Sequence, residues 1–349
     1  MKPFEINERK IGPGQPTFVI AEAGVNHNGQ LPLAKQLVDI ALEAGADAVK
    51  FQTFRAAQLA SPSAAKADYQ KQTTAQNESQ LEMLRQLELS EDNFRNIQKY
   101  CRSRGIIFLS TAFDEDSVDF LADLHVPVFK VPSGEITNTP LLERISAKKK
   151  PVILSTGMAT LSEIEEALRC LSESGAPQIA LLQCVSEYPT DVSKTNLRAI
   201  ATLTACFGVP VGLSDHSVGI EVPIAAVALG ASIIEKHFTS DRSLPGPDHS
   251  ASLEQRELKT LVTAIRNVEA ALGDGVKQPT AEELRNAAVV RRSLVAAVDL
   301  EAGIPLERSM IAFKRPGTGL SIQVLPYLVG RKLRHSVKAG AMLELGMFE

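Results

Sequence analysis

Eight short apolar runs punctuate the first two-thirds of the chain, each separated from the next by a stretch long enough for a helix. They are Phe18–Ala21, Ala48–Phe51, Ile106–Leu109, Val128–Val131, Val152–Ser155, Ile179–Leu182, Val209–Gly212 and Ser232–Glu235. Runs this short, mostly apolar and rich in β-branched residues, describe strands buried on both faces. That is the condition of parallel strands joined by crossover helices. Between them, apolar periodicity predicts helices over Leu33–Ala44, Glu91–Arg104 and Ser162–Ser174, stopped by Gly45, Gly105 and Gly175. Ser90 and Ser162 stand where a hydroxyl can accept a hydrogen bond from a first-turn N–H. Eight such units predict an α/β fold of the closed (β/α)8 (TIM) barrel type. A doubly wound open sheet, usually built from fewer strands, is the alternative. One interval breaks the rhythm. Phe54–Leu81 is long and polar, with Ser61-Pro62-Ser63 and Gln76-Asn77, and reads either as a lid over a site or as a solvated excursion.

The pattern changes after Leu272. Gly273-Asp274-Gly275 through Pro279 reads as a linker, and from Arg291 onward short strand-like runs with turns predict a small β-rich domain. The expected division is a barrel over 1–275, a linker over 276–290 and the small domain over 291–349. A formal net charge of −4 leaves no general basic field for nucleic acid or a membrane surface. Cys101, Cys170, Cys184 and Cys206 are scattered without a CxxC pair, as expected of reduced thiols. No apolar run approaches the roughly 20 residues of a membrane helix, and Met1–Arg9 lacks the apolar stretch of a signal peptide. The expectation is a cytoplasmic, soluble protein.

In a parallel barrel the active face lies at the C-terminal ends of the strands. Here polar residues recur at nearly every strand end: Glu22, Lys50 and Gln52, Ser110 and Thr111, and Lys130, Ser133 and Glu135. They continue with Ser155 and Thr156, Tyr188, Ser214-Asp215-His216 and Glu235-Lys236-His237. One such residue means little; the recurrence points to an enzyme. His216 and His237 follow consecutive strands, and adjacent strands lie about 4.8 Å apart. Two imidazoles can therefore converge on Mn²⁺, Mg²⁺, Fe²⁺ or Zn²⁺, or else serve as hydrogen-bonded pocket histidines. Lys50 and Lys130, with the hydroxyls of Thr111, Ser133, Ser155 and Ser214, suit an anionic phosphate-bearing substrate. The plainer alternatives are salt-bridged lysines and helix-capping hydroxyls. Glu22 and Glu135 are acid/base or sugar-hydroxyl candidates, or partners of those lysines. Asp248 sits in the turn-rich segment Pro245–His249. His27 either contacts substrate or shapes its loop, while His125 and His335 read as structural or solvated. Cys184 reads as a buried thiol without a base partner.

Taken together, these segments resemble the sialic acid synthases, a family that includes N-acetylneuraminate and N,N′-diacetyllegionaminate synthases. The resemblance is carried in order by Ala21-Glu22-Ala23-Gly24, Asn26-His27-Asn28-Gly29, Val49–Thr53, Ser110–Asp114, Lys130–Glu135 and Leu154–Met158. It continues through Tyr188-Pro189-Thr190, Gly212–Ser217, Glu235–Thr239, Gly246–His249 and Lys314–Gly319. It implies a barrel followed by an antifreeze-like (SAF) domain, in a domain-swapped homodimer whose small domain caps the partner's barrel. It implies condensation of phosphoenolpyruvate with an N-acylated mannosamine-type sugar to give a nonulosonic acid and phosphate. It further implies Mn²⁺ or Mg²⁺ on His216 and His237, with Lys50, Thr111, Lys130, Ser133, Ser155 and Ser214 around phosphoenolpyruvate. Glu22, Gln52, Glu135, Tyr188 and Asp248 would face the sugar and the metal-bound water, with Glu22 assisting proton transfer. Arg315 would reach the sugar's N-acyl group from the partner. Ser186 departs from the Asn of some relatives. The main expectation is an N-acetylneuraminate synthase, with N,N′-diacetyllegionaminate as the alternative product. Two further alternatives are a Schiff-base aldolase using Lys50, Lys130 or Lys236 and a non-enzymatic binding protein.

Overall fold

A computed structural model describes residues 4–74 and 77–349, so Gln76, within the interval singled out above, lies outside the described residues, as do Met1–Pro3. The chain forms two compact units, Met1–Gly273 and Asp274–Glu349. The first opens with an antiparallel hairpin, β1 (Phe4–Ile6) and β2 (Arg9–Ile11). Eight parallel strands follow: β3 (Phe18–Gly24), β4 (Ala48–Thr53), β5 (Ile107–Ala112), β6 (Phe129–Val131), β7 (Val152–Ser155), β8 (Ile179–Cys184), β9 (Val211–Asp215) and β10 (Ile233–His237). β10 pairs with both β9 and β3, so the sheet closes into a barrel, and the open-sheet alternative is excluded.

Successive side chains on a strand point to opposite faces, and here the two faces meet two different cores. Phe18 and Ile20 of β3, Ala48 of β4, Leu109 of β5 and Ile233 of β10 pack inside the barrel, closed off by Phe4, Ile6 and Ile11 of the hairpin. Val19, Ala21, Val49, Phe51 and Ile234 face outward against the helices. Continuing the inward series toward the strand ends gives Glu22, Lys50, Thr111, Lys130, Ser155, Ser214, Glu235 and His237. The alternation alone therefore delivers the polar residues to the barrel mouth.

The crossover helices form where the amphipathic pattern places them. The first is α1 (Leu31–Ala44), ended by Gly45 at φ 82°, whose N–H bonds the carbonyls of Ala41 and Leu42. The interval after β4 is not an irregular loop. It folds into α2 (Ala56–Leu59), α3 (Asp68–Thr73) and α4 (Gln80–Leu87). Ser79 and Glu82 make a reciprocal capping box that starts α4. Ser90 caps α5 (Glu91–Arg104), as its position predicts. Next come α6 (Glu115–Asp123), α7 (Thr139–Ser146) and α8 (Leu161–Glu173). Thr160 rather than Ser162 caps α8, because Thr160 and Glu163 form the capping box and start the helix earlier. The first unit ends with α9 (Ala199–Phe207), α10 (Glu221–Ala228) and α11 (Gln255–Leu272).

In the second unit, α12 (Ala281–Val290) occupies most of the segment read as a linker. It precedes an antiparallel pair, β11 (Ser293–Ala296) and β12 (Ile311–Lys314), and a core of its own around Leu294, Leu306, Leu328, Leu333 and Leu343. No described helix is long and apolar enough to cross a membrane.

Gly212 occupies an inward position of β9 where a side chain has no room. A Cβ there would lie 2.2 Å from the Ile233 carbonyl oxygen and 2.8 Å from Leu182 Cδ2. Gly212→Ala must push β9 and β10 apart, and overpacking of this kind costs about 1–3 kcal/mol. The expected result is a lower thermal and urea unfolding midpoint than wild type; an unchanged midpoint would show that the two strands separate freely.

Candidate functional site

The barrel mouth opens on a cavity of about 350 Å³. Its floor is a set of buried charges placed by strand register. Glu22 stands opposite Lys50 across β3 and β4, and Ser214 stands opposite Glu235 across β9 and β10. Lys50 Nζ lies 2.8 Å from Glu22 Oε2 and 3.6 Å from Glu235 Oε2, and it donates to Thr111 Oγ1 at 2.9 Å. Lys130 Nζ lies 3.3 Å from Glu235 Oε1, which also accepts from Ser214 Oγ at 2.9 Å. Gln52 Nε2 donates to Glu22 Oε1.

These neighbours divide the two carboxyls. Burial pushes Glu22 upward, and the negative charge of Glu235 adds to that despite Lys50. Glu235 is also buried, yet Lys130 and Lys50 together hold it below the usual carboxylate range. Burial opposes the ammonium of Lys50, but Glu22 and Glu235 keep it charged. For Lys130 burial prevails and lowers the pKa, helped by the nearby charge of Lys50. One carboxyl thus keeps its charge and the other holds a proton more readily.

The two histidines meet at one side of this floor, with ring centroids 5.4 Å apart. His216 follows β9, and its Nδ1 lies 2.9 Å from the Val185 carbonyl oxygen. His237 ends β10; burial first, then the nearby His216 and Lys50, holds it well below the usual imidazole range, so it is neutral. Its Nδ1 is buried without a hydrogen-bond partner, and Asp248 Oδ2 lies 3.9 Å away. Burial pushes the Asp248 carboxyl up to about 6. Tyr188 stacks on Tyr69 of α3, with ring centroids 5.0 Å apart, and meets His216 at a tilt of 41° with centroids 4.0 Å apart.

Around Ser133 the wall is built from small groups. Ser133 Oγ accepts from the Gly157 N–H at 2.8 Å. A Cβ on Gly157 would lie 2.4 Å from Ser186 Oγ, so the glycine is what lets the hydroxyls approach one another. Ser155 Oγ is buried without a partner at the end of β7. Ser186 lines the cavity. Glu135 lines it too and accepts from Asn138 Nδ2 at 2.6 Å, rather than pairing with a lysine.

Of the fourteen side chains that the resemblance implies, the structure brings thirteen to one cavity, whereas Ser110, Thr156 and Asp215, also at strand ends, do not line it. Arg315 belongs to the second unit, where it is exposed after β12. Lys236 points the other way. Strand alternation turns it outward, fully buried, to donate to Asp215 Oδ2 and the Ser217 carbonyl, which removes it as an imine-forming lysine in the cavity. His27 shapes its loop: Nδ1 accepts from the Gly29 N–H at 3.0 Å. His125 and His335 are exposed. Cys184 does have a histidine neighbour, with Sγ 3.9 Å from His216 Nδ1, which sequence separation concealed. Sequence reasoning also passed over Glu235 as a partner of both lysines. The signal was present, since Glu235 and His237 lie two apart on one strand and so share a face. Tyr69 and the apolar residues of α2 and α4 carried no such signal.

A divalent ion fits the histidine side of this site on its own chemistry. His237 is neutral with a buried nitrogen lacking a partner, and His216 has one nitrogen engaged by a carbonyl, as ligating imidazoles commonly do. Among the described residues no three His, Cys, Asp or Glu side chains gather at ligand spacing. Two imidazoles would then be the protein's main share, leaving other positions to water and substrate oxygens.

A closed parallel barrel with this charged mouth defines the class: a (β/α)8-barrel enzyme, here a phosphoenolpyruvate-condensing transferase of the nonulosonic acid synthase kind. The chain belongs to the NeuB family, whose model matches residues 37–277, and a SAF domain matches residues 291–349. It is 49% identical to the N,N′-diacetyllegionaminic acid synthase of Campylobacter jejuni over 90% of this chain and 95% of that one. It is 47% identical to the enzyme of the same name from Legionella pneumophila, over 95% and 94% of the two chains. A crystal structure of N-acetylneuraminic acid synthetase from Leptospira borgpetersenii in complex with citrate superposes with a TM-score of 0.72 at 37% identity. That superposition covers 82% of this chain and 95% of the other.

Because Glu235 serves both lysines, Glu235→Gln leaves two buried ammonium groups with a single carboxylate. Removing one member of a buried ion pair costs about 3–5 kcal/mol. The expected outcome is a clear drop in the urea midpoint, whereas Glu22→Gln, which leaves Lys50 its contact with Glu235, falls less. Equal losses from the two would mean Glu235 does not hold the floor together.

Proposed function

We propose that this enzyme condenses phosphoenolpyruvate with 2,4-diacetamido-2,4,6-trideoxymannose, giving N,N′-diacetyllegionaminate and phosphate. N-acetylmannosamine, giving N-acetylneuraminate, is the second reading. The observation that carries the reaction is the lysine-rich floor beside a histidine pair in one cavity. What favours this sugar is that the two reported relatives of highest identity are both named as legionaminic acid synthases.

In this reading Lys50 and Lys130 neutralise the carboxylate and phosphate of phosphoenolpyruvate. The hydroxyls of Thr111, Ser133, Ser155, Ser186 and Ser214 donate to its oxygens. Ser155, whose hydroxyl is buried without a partner, suits a ligand oxygen. His216 and His237 would hold Mn²⁺ or Mg²⁺, which supplies a Lewis acid for the open-chain aldehyde. The methylene carbon of phosphoenolpyruvate attacks the aldehyde carbon, water adds at the carbon that bears the phosphate, and phosphate departs by cleavage of that C–O bond. Glu22 carries a proton in these steps, helped by burial that keeps its carboxyl readily protonated. Gln52, Glu135, Tyr188 and Asp248 face the sugar and its water. For Arg315, and for the domain-swapped homodimer that would bring it from a second subunit, the reading rests on the resemblance alone.

Phosphate release from phosphoenolpyruvate is the test, with Mn²⁺ present, with either sugar or none, before and after EDTA. The expected result is release that requires sugar, stops with EDTA, returns with Mn²⁺, and is faster with the trideoxy sugar. Glu22→Gln should lower kcat by roughly 10²–10⁴-fold, the usual share of a general acid or base. Borohydride trapping of a pyruvate imine together with EDTA-resistant activity would replace this reading with the aldolase one.

A further inference from the structure

The cavity is lined by two chemically different sets of side chains. Besides the charged residues of the strand ends, Leu59 of α2, Met83, Leu84 and Leu87 of α4, and the rings of Phe54 and Phe113 line it. These side chains form a packed cluster separate from both barrel cores. Met83, Leu87 and Phe54 are its buried interior, while Leu59, Leu84 and Phe113 keep part of their surface free. Helix α4 is amphipathic in the sense this requires: Glu82, Arg85 and Gln86 are exposed, and Leu81, Met83 and Leu87 are buried. An insertion serving only as a cover would have no need to line a sugar-sized cavity with leucine.

We propose that the helices inserted after β4 form a specificity wall, with Leu59 and Leu84 taking the deoxygenated C6 methyl and the 4-acylamino methyl of the acceptor. The proposal rests on the function assigned above. Condensation joins the phosphoenolpyruvate carbon to the sugar aldehyde, C1. With phosphoenolpyruvate on the lysine floor, C1 faces the floor and the sugar chain runs away from it, so C4 to C6 reach the wall. A hydroxymethyl or free 4-hydroxyl held against Leu59 or Leu84 gives up water and gains no polar partner from those side chains. A methyl there gains contact instead. Gln70 of α3 and Gln80 of α4 also line the cavity, and amides of this kind can serve an acylamino group. The wall therefore discriminates between two sugars that present the same aldehyde and the same 2-acylamino group to the floor.

The experiment measures kcat/KM for 2,4-diacetamido-2,4,6-trideoxymannose and for N-acetylmannosamine in wild type, Leu84→Gln and Leu59→Gln. One buried methyl distinguishes substrates by roughly 10–200-fold. The expected result is that the ratio of the two kcat/KM values falls about tenfold or more in each variant, with KM for phosphoenolpyruvate unchanged. Because the two leucines lie on different helices, a failure of either variant to fold leaves the other to decide. A wild-type preference for N-acetylmannosamine would remove the functional reading and the wall with it. A wild-type preference for the trideoxy sugar with the ratio unmoved in a folded variant would remove the wall alone.

Discussion

Two lysines and two glutamates buried in the mouth of a barrel cannot exist singly. An isolated charge moved from water to a protein interior loses several kcal/mol even after relaxation, so each ammonium needs a carboxylate within a few ångströms. Glu22 serves Lys50, and Glu235 serves both Lys50 and Lys130. This mutual dependence fixes four strands to one another at their polar ends, where the apolar contacts of the lower barrel no longer reach. It also leaves the site unevenly charged, because Glu22 takes a proton more readily than Glu235. With Glu22 protonated, two ammonium groups face one carboxylate, and the floor gains the positive excess that an anionic substrate needs.

The remainder of the cavity is organised around that floor. The two imidazoles stand to one side, His216 held by the Val185 carbonyl and both rings in contact with the ring of Tyr188. Tyr69 continues the stack into α3, so the inserted helices are tied to the histidine side by aromatic contact. The same insertion supplies the leucine face. A single excursion between β4 and α5 thus lines the cavity both beside the histidines and with leucine.

Much of this was legible in the sequence because strand periodicity is exact. The eight apolar runs give the barrel, and the two-residue repeat along β10 assigns Glu235 and His237 inward and Lys236 outward. Helix ends were legible where one capping group stands alone, as at Ser90, and displaced where two candidates compete, as at Thr160 and Ser162. What resisted reading depends on contacts between distant segments. The Cys184–His216 approach and the sharing of Glu235 between two lysines are set by barrel closure. The insertion reads as polar because its helices are short and turn only one narrow apolar face inward.

That last point bears on how such an enzyme changes substrate. The floor residues sit on strands whose register is locked on both sides, so altering one disturbs its neighbours. The wall residues sit on helices joined to the barrel at their ends and packed as a small cluster of their own. A leucine exchanged for a polar residue there changes what the far end of the sugar meets without touching the ion pairs that hold the reacting end. Chemistry and selectivity are thereby assigned to parts of the fold with different tolerance for substitution. On this division, a substitution in α2 or α4 can alter which sugar is accepted while the charged mouth stays as it is.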